Sequence, residues 1–202
     1  MKPSSLMLKN VVGKAALCEA AFGNLAEARA AAGAGLSLYS TSQAVEVEAA
    51  LAQSMVGNAA RATAMAQDLD KHYPLHTQIQ SLWLPAIGAQ LSLNRKDPAA
   101  AVDTLQAALP LVEYGQFIFL TNMSCLYPTY IRGQAYLAAG QGKAAAAEFQ
   151  KILDHSGIVW NCWTGALAQL GVARANALEA QNSTGADADL ARIARSRPTK
   201  TS

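Results

Sequence analysis

Apolar residues recur at three- and four-residue spacing over Val45–Met55, Ile79–Leu93 and Leu167–Leu178, which lays one apolar stripe along a helix. Short polar breaks punctuate the chain at Gly23-Asn24, Gly57-Asn58, Lys96-Asp97-Pro98 and Gly140-Gln141. Behind each break a second stretch begins, with a small residue at the same offset: Ala28, Ala62, Ala101 and Ala145. The pattern predicts helix pairs joined by tight turns. Glycine at the turn can take positive φ and end the first helix without a Cβ penalty. Asn or Asp after it is expected to cap the second helix by accepting a backbone N–H bond. Pro98 falls on a first-turn position where its missing N–H costs nothing, and Pro74 ends the second helix of the second pair. The alanines stand where the paired helices cross. In the fourth pair, Gly133 is the expected close-contact point, with Tyr136 filling the space beside it.

Gly23 and Gly57 lie 34 residues apart, and the turns at 57, 96, 140 and 180 follow at intervals of 39, 44 and 40. A period of 34 is that of a two-helix repeat. The longer intervals carry extra loop near His72–Thr77, Pro110–Thr121 and Asp154–Asn161, tolerated because only neighbouring repeats need to touch. The fifth unit departs from the pattern: Asn176 stands where a large aromatic is expected and Ala180 where the turn glycine belongs. Gln181–Asp189 reads as loop, followed by a weak helix over Ala188–Ser196.

Composition agrees with stacked helices. Half of the 202 residues are apolar, alanine dominates that half, and aromatics are few. Alanine favours helix and lets helices approach closely. With 15% charged residues and a net charge of +2, the chain is neither a disordered polyelectrolyte nor driven onto nucleic acid by its field. Lys9, Asn10 and Lys14 interrupt the N-terminal apolar run, which excludes a signal peptide or membrane anchor there. No later stretch reaches the roughly 18 uninterrupted apolar residues a spanning helix needs. Cys18, Cys125 and Cys162 are odd in number and far apart, so the expectation is reduced thiols in a cytoplasmic protein, with Cys125 and Cys162 packing in the core or between helices.

From Lys14 to Leu178 the chain resembles the tetratricopeptide repeat family. The most specific stretches are Leu126–Gly140 and Ala145–His155, which look like the repeat region behind the kinase domain of bacterial, especially acidobacterial, eukaryotic-like serine/threonine kinases. The resemblance implies an all-α fold, a right-handed α-solenoid of antiparallel helix pairs with four to five repeats. Residues 1–182 form the repeat domain and 183–202 a degenerate C-terminal helix with a flexible basic tail. No glycine-rich phosphate loop, HRD-type loop or DFG segment accompanies it, so kinase activity is not implied.

Candidate chemistry is sparse. His72 and His76 have a spacing two zinc ligands could use, but Tyr73-Pro74 breaks the helix between them. Asp154-His155-Ser156 sets triad residue types in a row, where they cannot converge on one another. Gly33 and Gly35 lie within a second helix and read as close packing rather than a nucleotide loop. Arg192, Arg195, Arg197 and Lys200 read as a solvated tail. No catalytic, cofactor or metal site is expected.

What remains is the inner wall that first helices line in this architecture. Counting from the turns, Trp83, Gln90, Asn94, Tyr127, Tyr130, Gln134 and Arg174 are expected to face it, as the groove for a protein or peptide partner. The other reading of Trp83 and Tyr127 is packing beneath the loops before their helices. Phe117, Phe119, Trp160 and Trp163 are expected to be loop residues folded back onto the array. The function implied is a non-catalytic scaffold with no nucleic acid, membrane or cofactor partner. Its rival is a homodimer through the uncapped C-terminal face.

Overall fold

A computed structural model describes residues 5–38, 42–106 and 125–196, with side chains described from 13 to 184 within those spans. Among the described residues the chain is all-helical. The helices are α1 (Ser5–Ala21), α2 (Leu25–Leu38), α3 (Gln43–Met55), α4 (Ala59–His72), α5 (Leu84–Asn94), α6 (Pro98–Gln106), α7 (Tyr127–Ala138), α8 (Gly142–Asp154), the single turn α9 (Ser156–Val159) and α10 (Trp163–Ser196). A π-turn, Ile79–Trp83, leads into α5. There Leu84 N–H bonds five residues back to Ile79 O. Pro85, the next residue, has no N–H, and its ring crowds the carbonyl one turn earlier, so the widened turn relieves the clash.

Four turns close in the same way. Gly23, Gly57, Lys96 and Gly140 all have positive φ, between 62° and 85°. Each donates its N–H three residues back, to Ala20, Ser54, Leu93 and Leu137. The next residue donates five back: Asn24 to Glu19, Asn58 to Gln53, Asp97 to Ser92 and Gln141 to Tyr136. This paired closure satisfies the carbonyls that a helix end leaves open. Capping of the second helix differs from expectation. Only Asp97 accepts a backbone N–H, from Ala100 at 3.0 Å. Asn24 and Asn58 instead donate backwards, to the side chains of Glu19 and Gln53.

The pairs α1–α2, α3–α4, α5–α6 and α7–α8 each pack together, and first helices also meet in series: α1 on α3, α3 on α5, α5 on α7, α7 on α10. Every second helix touches the first helix of the next pair as well. Ala28, Ala62, Ala101 and Ala145 are at most 1% exposed, as crossing points require. At the C-terminal end the ring of Phe149 sits between two glycines. A Cβ on Gly133 of α7 or Gly171 of α10 would come within 2.7 or 2.6 Å of its carbons. Phe149, rather than Tyr136, is therefore the filler beside Gly133. Beside it, Arg132 donates to Glu148 at 2.7 Å and Lys151 to the other oxygen of Glu148 at 2.6 Å.

Several sequence expectations are overturned. α10 runs unbroken through Ala180 and Gln181–Asp189, because no residue there imposes a turn once Ala180 replaces glycine. Cys125 and Cys162 are not separate thiols; they form a disulfide with 5.8 Å between their Cα atoms. Distance along the chain misled here. Their separation of 37 positions is about one repeat, so both stand at the entry of adjacent first helices, α7 and α10. Trp160 is 70% exposed instead of folded back, and Trp163 is the first residue of α10. Gly33 has open space where a Cβ would stand. Phe117, Phe119 and the loop Pro110–Thr121 lie outside the described residues, as do residues 197–202.

One buried group stands apart. Glu48 on α3 fills the space that a Cβ on Gly13 of α1 would take, and neither of its carboxyl oxygens has a hydrogen-bond partner. Burial pushes its pKa up to about 8, while the charge of Lys14 pulls it down. The carboxyl is neutral in the folded chain at pH 7.

Two predictions follow from these geometries. Replacing Lys96 with glycine removes the Cβ penalty of its left-handed backbone and raises stability by about 1 kcal/mol, whereas Gly140→Ala lowers it by about as much. Urea unfolding with unchanged m-values reads both. Second, Glu48 ionises near 4.5 when unfolded but only near 8 when folded, so stability falls as pH rises between those values and levels off above. The difference in unfolding free energy between wild type and Glu48→Gln, measured from pH 4 to 9, follows that slope; a difference independent of pH contradicts it.

Candidate functional site

The first helices leave one strip uncovered. A cavity of about 360 Å³ lies along it, lined by Ala20 and Ala21 of α1, Met55 of α3, Gln90 and Leu93 of α5, and Tyr130, Gln134 and Ala138 of α7. Helical spacing explains the set, since Gln90 and Leu93, like Tyr130, Gln134 and Ala138, are three or four residues apart and share one face. Its α1 end is lined by small alanines, and its polar groups come from α5 and α7.

Of the seven residues expected here, Gln90, Tyr130 and Gln134 line this cavity. Gln134 Nε2 donates to the Tyr130 hydroxyl at 3.1 Å, which leaves the phenol O–H to donate outward. Burial raises the Tyr130 pKa, against the opposing pull of the Gln134 hydrogen bond and the Arg174 charge, so the phenol stays protonated. Arg174 is exposed on α10 and contributes a positive field at this end. Asn94 is exposed at the turn but already engaged. It accepts from Gln90 at 3.2 Å and donates to Ser54 O, at the end of α3, at 2.6 Å. Asn94 thus ties α5 to the end of α3, and Asn182 of α10 donates to Gly140 O in the turn after α7.

Trp83 and Tyr127 are not groove residues. They are 1% and 2% exposed, with ring centroids 5.6 Å apart. Tyr127 stacks on Trp163 at 5.5 Å, and Trp163 meets Tyr130 edge-on at 5.1 Å. The aromatic run is a core seam that holds Tyr130 in position. Periodicity gave the correct helices but not the depth, because depth here is set by rings that meet across different helices. Met55, Leu93 and the alanines were missed since small or apolar residues at helix ends carry no distinctive sequence signal.

The other candidates stay apart. His72 Nδ1 meets Asp68 O at 2.8 Å, while His76 Nε2 meets the amide of Gln43. His155 Nδ1 meets Lys151 O, and Asp154 accepts from Gln150. Among the described residues no three His, Cys, Asp or Glu side chains gather to hold a metal, and no helix is long and apolar enough to cross a membrane. No family model matches the chain, nor does any curated protein or solved structure.

The geometry separates structural amides from free ones. Asn94→Ala removes one of the two donors that reach buried Ser54 O, Gly57 N–H being the other, and costs about 1 kcal/mol. Gln134→Ala, whose side chain supports only a half-buried hydroxyl, changes stability by less than about 0.5 kcal/mol. Thermal unfolding of the two variants checks the ranking, and the reverse order contradicts it.

Proposed function

We propose that this chain is a tetratricopeptide-type scaffold, a right-handed solenoid of four helix pairs with a fifth begun by α10, that holds an extended protein or peptide segment in its inner groove. The observation that carries the reading is a single cavity to which the first helices of four successive pairs all contribute. The repeated turn closures at 23, 57, 96 and 140 support the repeat assignment. Gln90, Gln134 and the Tyr130 hydroxyl suit backbone groups of an extended segment, since amides offer both a donor and an acceptor. The likeness of Leu126–His155 to kinase-linked repeats suggests a regulatory setting beside a serine/threonine kinase. The chain itself works without catalysis or cofactor. A disulfide is durable in an oxidising compartment and transient in a reducing one. If the protein is cytoplasmic, Cys125–Cys162 is an exchangeable bond.

A second reading, a homodimer, draws on α10. Its 34 residues far exceed the 13 of α8, and no second helix follows it among the described residues.

A photo-crosslinking residue at Gln134 distinguishes the two. Capture of a distinct protein from the native cell at position 134, and not at exposed Thr63 on α4, supports the groove. A product of twice the chain mass supports the dimer, and equal labelling at both positions removes the groove.

A further inference from the structure

A second cavity, of about 420 Å³, opens between α1 and the start of α10. Its wall brings together Lys14 and Cys18 of α1, Tyr127 of α7, and Asn161, Cys162 and Trp163. Cys18 is the free cysteine of the chain, and Cys162 is half of the disulfide. The other half, Cys125, is 1% exposed and does not line the cavity. One sulfur of the pair therefore belongs to an accessible residue and the other is shielded. The volume lies within the range of small-molecule sites and is too small for a protein thiol donor. Lys14 is the one charged residue among the described residues of the lining. Tyr127 and Trp163, stacked on each other, supply an apolar side wall.

We propose that this cavity is a thiol-exchange site, where a low-molecular-weight thiol carrying a carboxylate attacks the disulfide at Cys162. The thiolate sulfur bonds to Cys162 Sγ, the Cys125–Cys162 bond breaks, and its electron pair leaves on Cys125 Sγ, which takes a proton from solvent. One disulfide is exchanged for another, so no external oxidant or reductant is required. The reverse attack, by Cys125 on the mixed disulfide, restores the starting bond and releases the thiol. Exchange rates depend on which sulfur is accessible and on the attacking thiolate, which is why the asymmetry between the two cysteines sets the regiochemistry. The inference does not rest on the groove, whose lining shares no residue with this cavity.

The chain is well suited to the test, because tryptic cleavage at Lys14, Arg29, Lys96, Arg132, Lys151 and Arg174 puts each cysteine on its own peptide. Oxidised full-length protein is treated with reduced glutathione, quenched with an alkylating agent and mapped by mass spectrometry. The expected product carries glutathione on the Cys162 peptide and the alkyl group on the Cys125 peptide. A preference for Cys125, an absent disulfide in the starting protein, or no exchange at glutathione levels that reduce an exposed control disulfide overturns the proposal. In Lys14→Gln the exchange with glutathione slows by about three-fold relative to neutral 2-mercaptoethanol, the loss expected for one nearby charge in water. Equal slowing of both thiols, or of neither, overturns the role given to Lys14.

Discussion

Each of the interior first helices α3, α5 and α7 touches its own partner, the second helix of the preceding pair, and the first helices on either side. Four contacts leave one strip of its surface to solvent, and that strip is the groove. The contacts also demand narrow side chains where helices cross, because axes only 8–10 Å apart leave no room for a large residue at the crossing itself. Alanine at four equivalent positions meets this demand in the second helices. Where two first helices and a second helix converge, at the C-terminal end, alanine is already too large. Gly133 and Gly171 take its place so that one phenyl ring can fill the junction. The fold is thus governed by how closely its axes approach, and side-chain size follows from that.

What was legible in the sequence is what this constraint repeats. Turn closure needs a left-handed residue followed by one that points its N–H inward, and glycine at 23, 57 and 140 announces it. Lys96 could be placed only by its spacing from the others, yet it adopts the same φ. Repetition made the turn readable even where the preferred residue was missing. At Ala180 the same reasoning failed in the opposite direction. Spacing alone called for a turn, but a helix-favouring residue with no proline or glycine beside it let α10 continue. Spacing proposes a turn, and local chemistry decides whether the chain makes it.

Depth was not legible. Trp83 and Tyr127 lie on the correct helices, but the aromatic seam that buries them depends on Trp163, which joins it from the next first helix. Nothing in a one-dimensional pattern fixes that meeting. The disulfide belongs to the same class of event: adjacent helix pairs bring equivalent positions together, so two cysteines about one pair apart are neighbours despite a separation of 37 positions. For repeat proteins the useful distance between cysteines is their offset within the repeat, and counting residues between them points the wrong way. Asn94 shows the limit for polar residues, since an amide at a groove position can be consumed by a carbonyl of the next helix before any partner arrives.

The seam also bears on what the groove can do. Tyr130 contacts Trp163 on one side and Phe149 on another, so its ring is held by two residues that belong to different helices. A phenol fixed in this way loses little rotamer freedom when a ligand arrives, and preorganisation of that kind raises affinity without adding contacts. The cavity beside it is large enough for one side chain of a partner and too small for a folded surface. The extended segment proposed as its ligand would satisfy both facts, seating one residue against Tyr130 with its backbone past the amides of Gln90 and Gln134. On that proposal affinity comes from a single well-held anchor and specificity from the shape of its pocket.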